Sequence, residues 1–377
     1  MPIIKSDEIP LSLYVHLPWC EKKCPYCDFN VTTNKKDGDE EKLIKAIIQD
    51  IDNANEIING RKFLSIYFGG GTPSLVRYDQ IDKIIKYLKA NDLVEANAEI
   101  SFELNPNEVK RDYIKSISEV GVNRLSIGIQ SFNNETLLSL ERNHSEYQSL
   151  KALEVISEFK EVTSSIDLIY GVMNQGVGSL EKDLDIFISH DLDHLSLYQL
   201  TIEPNTIFYK KELKIPDENI IEEMESIAEK NLNLNGLNQY EISSWCKDGC
   251  EGLHNMNYWK YGDYYGVGPG AHSKITKEDG IYRGIKLKKL NSYIDDPSKN
   301  TFRRIPIEEI DLDIAMNFLR IKKGVSMDEV KKYDYLLSES FFHNLQEGIE
   351  KGLIEISRFK ATEKGYKFLN DTVNIFN

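Results

Sequence analysis

Three of the five cysteines lie close together near the N-terminus, at Cys20, Cys24 and Cys27. They form a CxxxCxxC pattern, and such close spacing indicates metal ligands or a reactive site rather than disulfides. Iron–sulfur clusters of the cubane type are usually held by four thiolates. Three local thiolates leave one iron without a protein ligand, so the pattern predicts a [4Fe–4S] cluster with one open coordination position.

The open iron has an obvious partner in S-adenosylmethionine (SAM), whose amino and carboxylate groups can chelate it. An electron from the reduced cluster would then cleave the sulfonium and release a 5′-deoxyadenosyl radical, which is cofactor chemistry that a protein positions and shields. The alternative is zinc, which takes four ligands and usually adds a second Cys or His pair downstream. Asp28-Phe29, directly after the cysteines, supplies no such ligand, so we favour the cluster.

A glycine-rich segment, Phe68-Gly69-Gly70-Gly71-Thr72-Pro73-Ser74, follows the cysteines after one further unit of structure. Three glycines let the backbone approach a ligand closely, although a tight turn is also compatible with them. The segment lacks the lysine of a phosphate-binding loop, which argues against a nucleoside triphosphate. Its position after a cysteine triplet predicts a site for the SAM amino group.

Six short apolar runs must position these residues: Leu11–Leu17, 63–68, 98–104, Arg124–Gln130, 162–169 and 194–201. Stretches with helical periodicity separate them, such as Ile81, Ile84, Ile85 and Leu88. Alternating strands and helices predict an α/β fold, a partial (β/α)6 TIM-type barrel over residues 1–205. The polar, glycine or cysteine residues at the end of each run would meet at one face of that barrel, where the active sites of such barrels lie.

The pattern changes after residue 205. Residues 206–300 are predicted to form an extension with an amphipathic helix at 218–233 and a Gly/Tyr/Trp-rich segment at 255–273. Residues 301–377 are predicted to form a smaller, mainly helical C-terminal domain, compatible with a winged helix, with helices at 311–319, 327–333 and 341–351 and a strand at 353–356.

Composition narrows the classes of function. The formal net charge of −15 argues against a general nucleic-acid partner, and the run at Lys286, Lys288 and Lys289 is predicted to be a solvated face. Residues 1–10 lack the apolar core of a signal peptide, and no stretch is apolar enough to span a bilayer. We therefore expect a cytoplasmic protein with reduced thiols.

Several motifs in combination resemble the oxygen-independent coproporphyrinogen III oxidase superfamily: YVHLPWC at 14–20, the cysteine triplet, GGGTPS at 69–74, ELNP at 103–106, NRLSIGIQS at 123–131 and IDLIYG at 166–171. Within it the chain is most similar to haem chaperones of the HemW type. The oxidases carry a further cysteine two residues after the third, where this chain has Phe29. His254-Asn255-Met256-Asn257-Tyr258-Trp259 matches the HNxxYW element of the chaperones.

The resemblance implies contacts with SAM or a second ligand for Tyr14, Tyr26, Gly70, Gly71, Thr72, Glu103, Gln130, Arg142, Asp167 and Thr201. The carboxylates of Glu103 and Asp167 suit ribose hydroxyls or the SAM ammonium group. Arg142 suits a carboxylate of SAM or a porphyrin propionate. Structural roles stay open as alternatives: Tyr14 in the barrel interior, Asp167 as a helix cap, and Glu103 in a turn before Asn105-Pro106.

His254 is the predicted haem contact, because imidazole is a frequent axial ligand of haem iron and aromatic residues follow it. The alternative is a core segment whose aromatic rings pack the C-terminal domain onto the barrel. Cys246 and Cys250 precede His254 at spacings of four, but Gly249 and Gly252 argue against one regular helix there. Those two thiols are either incidental or part of an additional haem or metal site.

Two functions follow from the resemblance. The first is a haem chaperone that uses a cluster and SAM, and delivers haem to haem proteins such as respiratory cytochromes. This function is compatible with a homodimer and with peripheral membrane contact. The second is an enzyme that converts two propionates of coproporphyrinogen III to vinyl groups. A third alternative is a radical enzyme with an unrelated substrate, since a barrel does not fix the chemistry.

Overall fold

The computed structural model describes residues 8–377, and one twelve-stranded sheet connects most of the elements. The first part contains β1 Leu11–Leu17, α1 Asp39–Asp52, α2 Asn55–Ile58, β2 Phe63–Gly70, α3 Tyr78–Ala90, β3 Val94–Leu104, α4 Arg111–Glu119, β4 Arg124–Gln130, α5 Asn134–Ser139, α6 Glu146–Ile156, β5 Thr163–Tyr170, α7 Val177–Ser189 and β6 His194–Gln199. The predicted alternation of strands and helices is confirmed, and strand boundaries differ from the predicted ones by at most four residues.

The second part contains α8 Ile207–Lys210, α9 Glu218–Leu234, β7 Asn238–Glu241, β8 Ser244–Cys246, α10 Leu253–Trp259, β9 Asp263–Val267, β10 His272–Lys277, β11 Gly280–Ile285, α11 Leu290–Asp295 and β12 Arg303–Arg304. The last part contains α12 Ile307–Phe318, α13 Met327–Lys331, α14 Glu339–Glu350, α15 Glu363–Lys367 and α16 Leu369–Asn374.

Strands β1 to β6 are parallel neighbours in chain order, as in a β/α barrel. The two ends of the sheet are β12 and β7, so the barrel stays open and the predicted partial barrel is confirmed. A seventh parallel strand, β9, pairs with the outer side of β1. The sequence did not predict it, because its residues DYYGV show neither a continuous apolar run nor a clean alternation.

A buried ion network holds β9 in place. Asp263, which begins the strand and is fully buried, binds Arg61 at 2.8 Å and Lys274 at 3.2 Å. The partners come from the loop before β2 and from β10, so one carboxylate joins three segments. Removing one member of such a group leaves an uncompensated buried charge, which is strongly destabilising.

The barrel helices bury the apolar faces that the sequence predicts. Ile81, Ile84, Ile85 and Leu88 of α3 are all buried in the main core, which also includes the apolar face of α1. Spacings of three and four residues place them on one side of a helix, and that side packs on the sheet.

The lysine run at 286–289 is not uniformly solvated, and the prediction is wrong for Lys286. Its ammonium group is buried and lies 2.6 Å from a carboxylate oxygen of Asp50 in α1. Tyr265 and Tyr293 donate hydrogen bonds to the same carboxylate at 2.7 Å. Lys288 and Lys289 are exposed, as predicted.

A second hydrophobic core gathers Phe318 of α12, Phe341 of α14 and Phe359 of the segment between α14 and α15, together with Tyr261 and Ile281 from the preceding part. Within the described residues no strand forms at 353–356; an isolated bridge joins Ile354 to Ala361 instead. The domain boundaries at 205 and 300 stay predictions. Across residues 8–377, no helix combines the length and the apolar character that crossing a membrane requires.

Candidate cluster and ligand site

The three cysteines lie in the loop after β1, at the carboxyl end of the parallel strands. The backbone N–H of Cys20 donates to Thr32 O at 3.0 Å, and that of Cys27 donates to Cys24 O at 3.1 Å. None of the three thiols forms a disulfide, and all are partly exposed. Burial raises the pKa of Cys20 to about 11 and also raises that of Cys27.

A cavity of about 440 Å³ opens beside the cysteine loop. It is lined by eleven of the predicted site residues: Cys20, Cys24, Tyr26, Cys27, Gly70, Gly71, Thr72, Glu103, Gln130, Arg142 and Asp167. The structure thus brings together predicted residues from five of the six strands or the loops after them. Their individual roles stay predictions.

The donor set at the cysteine loop consists of three thiols that line one cavity and form no disulfide. A cubane cluster spreads its thiolates over different iron atoms, so its ligands surround a volume instead of a point. The donor set of three unpaired thiols in one cavity therefore fits the [4Fe–4S] cluster with an open iron.

The glycine loop must run close to the cysteine loop. The N–H of Gly71 donates to Leu17 O at 2.8 Å, and that of Thr72 donates to Trp19 O at 2.7 Å. A Cβ on Gly71 would lie 2.4 Å from Trp19 O, and Gly70 has a φ of +107°. Only glycine meets both conditions, so the sequence signal here reflects close packing of the two loops.

Glu103 and Asp167 line the interior of the cavity, and neither has a cationic partner at ion-pair distance in the described chain. Glu103 accepts hydrogen bonds from the Tyr67 hydroxyl at 2.9 Å and from Gly70 N–H at 3.1 Å. Asp167 accepts one from Ser126 Oγ at 2.9 Å. Burial raises the pKa of Glu103 to about 7 and that of Asp167 to about 6. Buried carboxylates in such a cavity are suited to a cationic ligand, as SAM is.

Arg142 supplies the positive charge on the other side. Its Nη1 lies 3.3 Å from Cys24 Sγ and 3.2 Å from the Tyr26 hydroxyl. Its Nη2 donates to Asn105 Oδ1 at 2.7 Å and to Gly128 O at 3.0 Å. The guanidinium is thereby fixed next to a predicted cluster ligand, where it can stabilise thiolate charge and bind a carboxylate.

Gln130 ends β4 with a φ of +68°, which is unusual for a residue with a side chain. The pairing of β4 with β5 also changes register between Ile127 and Gln130. Such irregularities often redirect a side chain next to a binding site.

Three predicted residues lie outside this cavity. The Tyr14 hydroxyl is 3.1 Å from His16 Nδ1, and Tyr14 lines a second cavity. Thr201 is exposed after the end of β6. His254 is buried, with Nδ1 2.9 Å from Ser65 Oγ and Nε2 2.9 Å from the Tyr258 hydroxyl. Neither ring nitrogen is free for iron in this conformation, so a haem contact by His254 stays a prediction that requires this pair of bonds to open.

Cys246 and Cys250 do not share a helix face with His254. Cys246 ends β8, Cys250 lies in the following loop, and α10 begins only at Leu253. Cys246 is buried, and burial raises its pKa to about 12. No described residue set there forms a metal site.

Sequence analysis missed lining residues in the interior of the strands. Tyr67, Ser101, Ser126, Ser165 and Ser196 all line the cavity. Four of the five lie two residues before another lining residue of the same strand, which is the period of one strand face. That two-residue spacing of small polar residues was the available signal.

The second cavity, of about 640 Å³, lies next to the first on the side of β9 and β10. Asp28 and Phe29, directly after the third cysteine, line both cavities. The side chain of Phe29 is 57% exposed, so this pair forms an accessible wall between the two spaces.

The fold and the cysteine cavity define a radical SAM protein, and the comparison with known proteins agrees. The model of the Radical SAM superfamily matches residues 14–185. The chain is 36% identical over 373 residues to a heme chaperone HemW of Buchnera aphidicola, covering 97% of this chain and 98% of the relative. It is 35% identical over 370 residues to the heme chaperone HemW of Escherichia coli, with the same coverage. The chain therefore belongs to the HemW family of radical SAM proteins, a family that implies SAM and a [4Fe–4S] cluster.

A solved structure supports the fold assignment. Coproporphyrinogen III oxidase (HemN) from Escherichia coli matches with a TM-score of 0.81, over 99% of this chain and 91% of that one. The sequence identity is 22%, so this similarity shows the fold and leaves the activity open.

Proposed function

We propose that this protein is a haem chaperone that binds haem and delivers it to haem proteins, and that it uses a radical SAM centre to do so. The observation that carries the proposal is the adjoining pair of cavities. One contains the three thiols, and the other is lined by aromatic rings suited to a flat macrocycle. Identity to heme chaperones along nearly the whole chain supports the same conclusion.

In this proposal Cys20, Cys24 and Cys27 hold the cluster, and SAM binds its open iron. When bound, the reduced cluster supplies the electron that can cleave the SAM sulfonium. Glu103 and Asp167 attract the positive charge of SAM, and Arg142 binds its carboxylate. Thr72 is held in place by the hydrogen bond that Asn105 Nδ2 donates to its hydroxyl at 2.9 Å.

The alternative is an oxygen-independent coproporphyrinogen III oxidase, which the shared fold favours. Against it stands Phe29, at the position where the resemblance implies a further cysteine in the oxidases. Phe29 also lines the second cavity, so replacing it with cysteine would change that cavity as well.

The test uses the full chain, with the cluster reconstituted under anaerobic conditions. Haem is titrated while the Soret band is followed, and transfer to a haem-free cytochrome is measured by its recovered spectrum. In parallel, coproporphyrinogen III is incubated with the protein, SAM and a reductant. We expect saturable haem binding and transfer without vinyl product. Stoichiometric vinyl product without haem binding would contradict the proposal and favour the oxidase.

We further propose cytoplasmic location, respiratory cytochromes among the recipients, a homodimer, and peripheral contact with a membrane during delivery. The family resemblance supports these points. Sedimentation of the protein with and without its cluster, and with and without lipid vesicles, tests the last two.

A further inference from the structure

The second cavity is an open cleft between the edge of the barrel and the C-terminal helices. Its lining includes the aromatic rings of Tyr258 and Trp259 from α10 and of Tyr264 from β9. Met316 of α12, whose side chain is 52% exposed, adds a flexible apolar surface. A space of about 640 Å³ with several flat apolar walls suits a planar ligand of moderate size.

The cleft carries charges of both signs, because Asp28 and Asp313 line it together with three cationic side chains, of which Lys274 is paired with Asp263. Arg283 and Lys288 both line it. Arg283 is bound to Asp313 at 2.6 Å, but Lys288 is exposed and forms no ion pair within residues 8–377. An unpaired ammonium group beside apolar walls matches a flat ligand that carries carboxylates at its edge.

His272 is the metal-binding side chain that the cleft leaves available. It begins β10, its ring is exposed, and the ring forms no hydrogen bond within the described chain. The other histidine in the lining, His16, has its nitrogens at 3.1 Å from the Tyr14 hydroxyl and 2.9 Å from Asn30 O. Desolvation and the charges of Lys288 and Arg283 lower the pKa of His272, which keeps a nitrogen lone pair free at neutral pH.

We propose that haem binds in this cleft with His272 as an axial ligand of its iron and Lys288 paired with a propionate. The inference rests on the proposed function, since haem is its cargo. The step is formation of one coordinate bond from a neutral imidazole, with no change in oxidation state. His254 then acts as a positioning residue, because its hydrogen bond to the Tyr258 hydroxyl at 2.9 Å holds one wall of the cleft.

The experiment titrates haem into the full-length protein and compares matched variants by absorbance in the Soret region. His272→Ala is paired with His343→Ala, which removes an exposed histidine of α14 outside the cleft. Lys288→Ala is paired with its exposed neighbour, Lys289→Ala. We expect His272→Ala to weaken haem binding by about tenfold or more, since even supporting contacts of metal sites contribute that much. Added imidazole should restore the Soret position of this variant.

We expect Lys288→Ala to weaken binding without moving the Soret band, and both control variants to match the wild type. His254→Ala should weaken binding but keep the wild-type Soret position, because the iron ligand remains. His272→Gln is measured as well, so that the loss of the ligand is tested in a side chain of similar size.

Two outcomes separate this inference from the function on which it rests. If the wild type binds haem and both His272 variants bind it with unchanged affinity and spectrum, the cleft assignment is overturned and the chaperone function stands. If the wild type shows no saturable Soret change, the proposed function itself fails. A His254→Ala variant that alone loses the axial-ligand spectrum would assign the iron to His254 and overturn the role of His272.

Discussion

The Nε2 atom of His254 lies 2.9 Å from the hydroxyl oxygen of Tyr258, four residues later in α10. The opposite nitrogen, Nδ1, lies 2.9 Å from Ser65 Oγ in β2. One buried imidazole therefore joins α10 to the barrel and fixes an aromatic ring of the neighbouring cleft. The ring is held neutral, because burial lowers the pKa of His254 to about 3.

This burial predicts a pH-dependent contribution to stability. The unfolded chain binds a proton at His254 below its ordinary pKa of 6.5, whereas the folded chain does not until about 3. The free energy of unfolding therefore decreases as the pH falls through this range, by about 2 kcal/mol between pH 6.5 and pH 5. His254→Gln should remove that contribution, so its destabilisation relative to wild type is smaller at pH 5 than at pH 7.

Urea unfolding at several pH values measures the effect, with exposed His343→Gln as the control. At pH 7 we expect His254→Gln to cost about 1–3 kcal/mol, the usual range when a buried hydrogen-bonding partner is lost. A destabilisation that is the same at pH 5 and pH 7 would contradict the assignment of a neutral buried ring.

The cysteine assignment predicts a sharp contrast within one chain. Replacing Cys20, Cys24 or Cys27 by Ala should strongly reduce bound iron and sulfide after reconstitution, because each would remove one of three cluster ligands. Cys246→Ala and Cys250→Ala should leave iron and sulfide unchanged, since those thiols lie on and after β8, outside the cavity. Chemical analysis of bound iron and sulfide in each variant measures the contrast. Equal losses in both groups would show that the cluster is elsewhere.

The raised pKa of Glu103 predicts that the affinity for SAM depends on pH. This pKa is raised to about 7 by burial, so the carboxylate loses its charge as the pH falls below that value. The affinity for SAM, which is a cation at its sulfonium group, should therefore increase from pH 5.5 to pH 8. Glu103→Gln should weaken binding at pH 8 by about tenfold or more, as expected for a charge-assisted hydrogen bond, and flatten the pH dependence.

Equilibrium dialysis with labelled SAM measures both properties on the cluster-loaded protein. Glu108→Gln is the matched control, because the burial of Glu108 also raises its pKa to about 7 but the residue lies outside the cavity lining. A pH profile that Glu103→Gln leaves unchanged would assign the titration to another group.

The position of Arg142 next to Cys24 predicts an effect on the reduction potential of the cluster. The guanidinium lies 3.3 Å from Cys24 Sγ, so it stabilises the more negative, reduced state of the cluster. Arg142→Gln should lower the reduction potential and weaken SAM binding together. Arg111→Gln removes a guanidinium that pairs with Glu158 on the surface, and should change neither. Redox titration followed by electron paramagnetic resonance gives the potential; an unchanged value in Arg142→Gln would contradict the proximity effect.

The barrel could be predicted because its signals are local. Apolar runs marked the strands, and Ile81, Ile84, Ile85 and Leu88 marked a helix face that the structure buries. The cavity could be predicted for the same reason, since parallel strands place their carboxyl ends at one face. Strand β9 and the short strands around it could not, because they depend on partners distant in the chain.

Lys286 shows the physical limit of the sequence most clearly. Its charge is neutralised by Asp50, 236 residues earlier, and no local pattern separates it from the exposed Lys288. His254 and His272 present the same problem. Both lie in aromatic-rich surroundings, yet tertiary contacts give one ring two hydrogen bonds and leave the other open to the cleft.

The wall formed by Asp28 and Phe29 has a thermodynamic consequence. When a ligand in one cavity moves Asp28 and Phe29, it also changes the surface that these residues present to a ligand in the other cavity. The two binding equilibria are then linked, and the factor by which SAM changes the affinity for haem must equal the factor by which haem changes the affinity for SAM. Loading and release of the cargo would follow the occupancy of the cofactor site, without any contact between the two ligands.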